Sequence, residues 1–215
     1  MIIAVDGPAG SGKSTISKLL AKELGLVYLD TGAMYRLFTL KMLKENVSFS
    51  DNDKINELLE KLNINIENGK FYLDGEDVSE NIRKTDVAEN VSKTAAIDEV
   101  REKMVSLQRE FSKSKNVILD GRDIGTVVFP EADIKIFLVA DPRERAERRF
   151  KELQAKGENI SLDSIYENIL KRDKIDSTRE NSPLKKANDA IEVDTTGKSI
   201  EEVKNIILNL YNNKR

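Results

Sequence analysis

Gly7-Pro8-Ala9-Gly10-Ser11-Gly12-Lys13-Ser14-Thr15 fits the spacing G-x-x-x-x-G-K-S/T. Glycines at these places let backbone N–H groups curl around phosphate oxygens, and a helix N-terminus behind them adds partial positive charge. Lys13 is spaced to reach β- and γ-phosphates, and the Ser14 hydroxyl to ligate Mg²⁺. The chemistry is that of a bound nucleoside triphosphate, with residues 7–15 as its cradle. A second set of residues follows strand ends or flanks helices: Arg36, Arg101, Arg122, Asp123, Arg172, Asp176 and Arg179. A single arginine is ordinarily a solvated one. Arg122 and Asp123 stand apart, because a Gly-x-Asp turn follows an apolar strand pattern there. A phosphorylated acceptor facing the cradle needs such arginines, which grip phosphate bidentately.

Composition narrows the chemistry further. The 215 residues hold no cysteine and no histidine, so thiol chemistry and the usual neutral-pH acid/base group are excluded. Carboxylates, lysines, arginines and a metal remain, an inventory that suits phosphoryl transfer. Charged residues make up 34% of the chain and the net charge is −3, which gives no support to a mainly electrostatic nucleic-acid binder. The first strand pattern begins at once, with no charged or long apolar leader before it. A cytoplasmic protein without an export signal or a membrane span is expected.

The elements that must position these residues are legible in the hydrophobic pattern. Ile2 to Val5 reads as a buried parallel strand, and Ile16 to Leu24 as an amphipathic helix stopped by Gly25. Leu26 to Leu29 is a second strand, and Ala33–Glu45 and Lys54–Leu62 are helical by pattern. Ile64 to Glu67 then alternates with period two, Asn68-Gly69 signals a hairpin turn, and Lys70 to Leu73 answers it, with Glu76 to Val78 beyond Asp74-Gly75. Helical patterns follow over Thr85–Lys93 and Asp98–Ser112. Val117 to Leu119, Ile134 to Val139 and Ala190 to Asp194 complete five main strands. Asp141-Pro142 opens a helix that Gly157 ends, Ser161 caps another, and Ser199 with Glu202 forms a capping box. The reading is an α/β protein: a parallel five-stranded sheet with helices on both faces, plus a small antiparallel lobe. Ligands of such sheets sit beyond the strand C-termini, so the polar chemistry gathers on one edge.

Several segments in fixed order now carry a resemblance. They are Asp6 to Thr15, Leu29-Asp30-Thr31-Gly32-Ala33-Met34-Tyr35-Arg36, Asp120-Gly121-Arg122-Asp123 onward to Pro130, Lys171-Arg172-Asp173, Asp176-Ser177-Thr178-Arg179 and Pro183-Leu184. The chain resembles, over essentially its whole length, the bacterial cytidylate kinases, a family of nucleoside-monophosphate kinases. The resemblance implies transfer of the γ-phosphoryl group of ATP to CMP and dCMP, in pyrimidine nucleotide metabolism. It implies that Arg36, Arg122 and Arg179 grip the CMP phosphate. Arg172 and Asp176 take the ribose, Ser92, Arg101 and Asp123 read cytosine, and Thr31 and Tyr35 line the pocket. It also implies a core of 1–62 and 96–215 with a lid near 150–162, and an inserted CMP-binding lobe over 63–95. A monomer is expected, with small-molecule substrates and neither nucleic acid nor membrane as partner.

Some residues keep two readings. Asp120 ends a strand and could hold Mg²⁺ through water, or cap its loop. Arg145 and Arg149 share a helix face and are expected in the lid as catalytic groups, one over adenine and one on the transferring phosphate. Arg148 lies four residues after Glu144, as a solvated surface pair would. Asp123 could instead pair with Arg101 and only shape the pocket. Among other functions, a GTPase switch would need an N-K-x-D segment, which is absent. A nucleic-acid-acting ATPase lacks the expected aromatics among its basic residues. Related kinases of UMP, dTMP or shikimate remain the nearest rivals.

Overall fold

The computed structural model describes residues 1–213 apart from 68, 114 and 156. Asn68 of the expected hairpin turn, and one position of the expected lid, therefore lie outside the described residues. The chain divides into two compact units, one of Met1–Asp30 with everything from Ser112 onward, the other of Thr31–Phe111.

The first unit is built on strands β1 (Ile2–Asp6), β2 (Val27–Asp30), β6 (Val117–Gly121), β7 (Ile134–Val139) and β8 (Ile191–Asp194). They form one parallel sheet in the order β2-β6-β1-β7-β8. Alternate residues of these strands face one layer: Ile3, Val5, Ile118, Ile134, Ile136, Leu138 and Val193. Helix α1 (Lys13–Leu24) covers that layer with Ile16, Leu20 and Ala21, and α8 (Ile200–Asn213) with Val203, Ile207 and Tyr211. Helices α6 (Pro142–Ala155) and α7 (Leu162–Thr178) pack on each other through Ala146, Leu153, Ile165 and Ile169. Their boundaries follow the expected caps. Asp141 accepts from the Arg143 and Glu144 N–H groups, and Ser161 from that of Ser164.

The second unit holds α2 (Thr31–Lys44), α3 (Asn52–Glu60), α4 (Thr85–Thr94) and most of α5 (Asp98–Ser112). Its sheet is antiparallel, ordered β3 (Ile64–Glu67), β4 (Lys70–Leu73), β5 (Glu76–Asp77), with Glu67 opposite Lys70 across the turn. Phe71 and Leu73 pack with Ala33, Leu37 and Leu40 of α2 and with Val78, Ile82 and Val87. Those shared contacts make α2 one body with the small sheet, so the compact unit reaches well beyond residues 63–95. Among the described residues, no helix is long and apolar enough to cross a membrane.

Candidate active site

Parallel pairing brings the C-terminal ends of the first unit's strands to one edge, and the loop Gly7–Gly12 leaves β1 there. The turn needs glycine for steric reasons. Gly7 has φ 147°, and an added methyl group would lie 2.1 Å from the Leu138 carbonyl oxygen on β7. Gly12 caps α1 in the left-handed region at φ 87°. Inside the loop, the Pro8 carbonyl accepts from Lys13 Nζ at 2.7 Å and from the Ser11 hydroxyl at 3.0 Å. Lys13 is thus folded over its own loop and buried. Burial pushes its ammonium down to about 7, and the nearby Arg122 charge adds to the shift.

Asp120, last but one in β6, accepts from the Ser14 hydroxyl at 2.8 Å and from the Tyr28 hydroxyl at 2.6 Å. Burial and the charge of Asp30 push the Asp120 carboxyl up to about 6. A hydroxyl and a carboxylate oxygen side by side form a hard donor pair. They suit Mg²⁺, which binds through one or two protein oxygens while keeping waters and phosphate oxygens.

One residue beyond β6, Arg122 donates from Nε to Asp176 of α7 at 2.9 Å. Burial opposes the Asp176 charge, but Arg122, with Arg172 and Arg179, outweighs it and holds the carboxyl below its usual range. Arg179 also lies 3.8 Å from Asp123 and donates from Nε to the Ser182 carbonyl at 2.7 Å. Asp123 is buried and precedes a π-helical turn, Ile124–Val128. The carboxylate of Asp6 accepts from the Ile124 and Gly125 N–H groups, both at 2.8 Å. Asp6 thereby ties the strand that feeds the glycine loop to the turn that carries Arg122 and Asp123. Burial pushes its carboxyl up to about 6.

On α6 the structure differs from the sequence reading. Arg145 is buried, donating to the Ala9 carbonyl at 2.9 Å, the Ala140 carbonyl at 3.1 Å and Asp173 at 2.6 Å. Arg149 is half-exposed and reaches Glu152 at 3.1 Å. The two therefore occupy different surroundings, because α6 buries only the stripe that meets the glycine loop and α7. Arg148 is also no solvated surface pair. Besides Glu144 it holds Thr195, in the loop after β8.

In the second unit, Thr31, Tyr35, Ser92 and Arg101 are all buried. The Arg101 guanidinium lies 5.4 Å over the Tyr35 ring and donates to the Ala95 carbonyl at 3.0 Å. Arg36 donates to the Ile82 carbonyl at 3.3 Å. Sequence reasoning gave no role to Asp6, Tyr28, Asp173 or Thr195. Asp6 had a signal, an acid closing an apolar strand just before a glycine loop. Tyr28 had one too, a hydroxyl-bearing ring inside a buried strand pattern.

The chain is similar to known proteins over almost its whole length. The family model described as "Cytidylate kinase" matches residues 3–213. A cytidylate kinase of Fusobacterium nucleatum is 55% identical over 207 residues, covering 96% of this chain and 95% of its own. A cytidylate kinase of Carboxydothermus hydrogenoformans is 52% identical, covering 100% of this chain and 98% of its own. Among solved structures, shikimate kinase from Bacteroides thetaiotaomicron is similar in fold, with a TM-score of 0.50 at 13% identity over 99% of this chain and 98% of that one.

Proposed function

This chain belongs to the cytidylate kinase family, and we propose on that footing that it transfers the γ-phosphoryl group of ATP to the phosphate of CMP. The products are ADP and CDP, and dCMP is accepted likewise to give dCDP. One observation carries the reading beyond family membership. Lys13, Ser14 and Asp120 meet beneath a glycine loop whose backbone has room for nothing larger at Gly7.

The nucleophile, a CMP phosphate oxygen, is already ionised at neutral pH, so no general base is required. Catalysis then reduces to positioning and charge stabilisation. Residues 7–15 cradle the triphosphate, and its negative charge restores the proton that burial loosens on Lys13. Ser14 and Asp120 would hold Mg²⁺, which supplies charge neutralisation on the phosphate oxygens. Arg122, Arg179 and Arg36 grip the acceptor phosphate. Arg172 and Asp176 hold the ribose, and Ser92, Arg101 and Asp123 read the base beside Thr31 and Tyr35. Arg145 already touches the glycine loop at Ala9 and serves the donor nucleotide. Arg149 reaches the transferring group when the segment 150–162 closes and excludes water. In this reading residues 63–95 form the CMP-binding lobe, 1–62 and 96–215 the core, and the protein acts as a cytoplasmic monomer.

Lys13→Ala tests the donor side. The variant should fold, judged by circular dichroism and melting, yet consume ATP in the presence of CMP and MgCl₂ about 10²–10³-fold more slowly. A folded variant with near-normal turnover would overturn the role of the loop.

A further inference from the structure

Arg148 is not used by the reaction as described, yet it is among the most heavily engaged side chains of the first unit. It donates from Nη1 to the Thr195 hydroxyl at 3.1 Å and from Nη2 to the Thr195 carbonyl at 2.7 Å, and it pairs with Glu144 one turn earlier on α6. Thr195 is buried, and its hydroxyl donates onward to the Ser11 carbonyl at 3.4 Å. The other Glu144 oxygen accepts from the Gly197 N–H at 2.9 Å. The Thr195 N–H donates to the Val139 carbonyl at 2.8 Å, one step past the end of β8. Helix α6 therefore grips the β8–α8 loop at two points, and that loop hands one hydrogen bond to the glycine cradle.

From these contacts we propose that Arg148 is a positioning residue for ATP, acting through Thr195 on the peptide plane between Ser11 and Gly12. In a trans peptide the carbonyl and the following N–H point in opposite directions. Holding the Ser11 carbonyl toward Thr195 therefore aims the Gly12 N–H to the other side, where the cradle takes phosphate. Arg145 treats the next plane but one the same way, because its hold on the Ala9 carbonyl aims the Gly10 N–H. A permanently charged guanidinium polarises the Thr195 hydroxyl and strengthens the bond that it donates. The charge stays on one side of the loop and the phosphate-binding donors on the other.

This inference rests on the reading of residues 7–15 as the ATP site, and its test separates the two. Arg148→Ala should raise the KM for ATP about tenfold, with the KM for CMP within twofold of wild type and kcat within threefold. Thr195→Val, close to isosteric, should raise the KM for ATP about fivefold, and Thr195→Ser, which keeps the hydroxyl, should restore it to within twofold of wild type. A purely structural role would shift both KM values together or only lower the melting temperature. An ATP KM within twofold of wild type in Arg148→Ala, or equal rises in both KM values, overturns the proposal. If Arg148→Ala does not fold, the two Thr195 variants decide by the same criteria. Failure of the underlying reading looks different: wild-type protein itself then shows no ATP-dependent turnover.

Discussion

Cytosine offers an amino donor at position 4, where uracil offers a carbonyl acceptor. A buried carboxylate is the natural partner of that amine, and Asp123 is buried in the turn after β6. The same oxygen would meet uracil acceptor to acceptor and remain unpaired, which disfavours UMP by up to ~10⁴-fold. Asp123→Ala should therefore lower kcat/KM for CMP far more than for UMP. Equal losses on both substrates would mean that Asp123 only holds its neighbours, Arg179 among them. Asp6 leads to a different measurement. Folded, it keeps its proton to about pH 6, whereas the ordinary carboxyl value is 3.8. Between those pH values the native state binds more protons than the unfolded chain, so this group's contribution to stability falls as pH rises from about 4 to about 6 and is level above that. Asp120 acts with the same sign, while Asp176 and Asp77 are held low and titrate below that window. A difference of the size found for Asp6 is worth roughly 3 kcal/mol. Denaturant unfolding across pH 4–7 should show this decline, and Asp6→Asn should remove about half of it. An unchanged slope in the variant would refute burial of Asp6 as its source.

The junction of β1, the glycine loop and α1 depends on contacts that a sequence motif cannot express. Gly7 faces the Leu138 carbonyl at a distance no β-carbon tolerates, whereas Gly25, at the end of α1, adopts φ 66° in open space. Gly7→Ala should accordingly destabilise the fold by more than about 2 kcal/mol and abolish ATP binding, and Gly25→Ala should cost only about 1 kcal/mol with ATP binding intact. Equal stabilities in denaturant unfolding would contradict the geometry. Strands and helices were legible here because their signals are local: continuous apolar runs in β1 and β6, Ser161 and Asp141 as caps, Ser199 with Glu202 as a reciprocal box. The π-helical turn Ile124–Val128 was not legible, because its shape depends on Asp6, over a hundred residues away in the chain. Arg148 on α6 reads as a solvated surface pair for a related reason. A helical face looks solvent-exposed in sequence until the partner that covers it is known, and here the partner is Thr195.

At the scale of the whole chain, the order of motifs carried more than any single one. The glycine loop alone speaks for a triphosphate. The loop, the Leu29–Arg36 segment, the Arg122 turn and the segments between Lys171 and Leu184, taken in order, carry the resemblance to one kinase family, and a family match over residues 3–213 agrees with it. Unit boundaries were harder to read, because α2 follows β2 without a linker and yet shares its core with the small sheet. Strand order was equally hidden, since β1 lies between β6 and β7 although neither follows it directly in the chain. Phosphoryl transfer to a chosen acceptor is what the molecule's parts serve together. Its most direct test is the initial rate of ADP formation from ATP and MgCl₂, measured in turn with CMP, dCMP, UMP, dTMP, AMP and shikimate, with kcat/KM compared across them. CMP and dCMP should be used with CDP and dCDP formed in equal amount to ADP, and kcat/KM for UMP should be lower by at least about a hundredfold. ADP formation that needs no CMP, or a kcat/KM for UMP or shikimate equal to that for CMP, would contradict it.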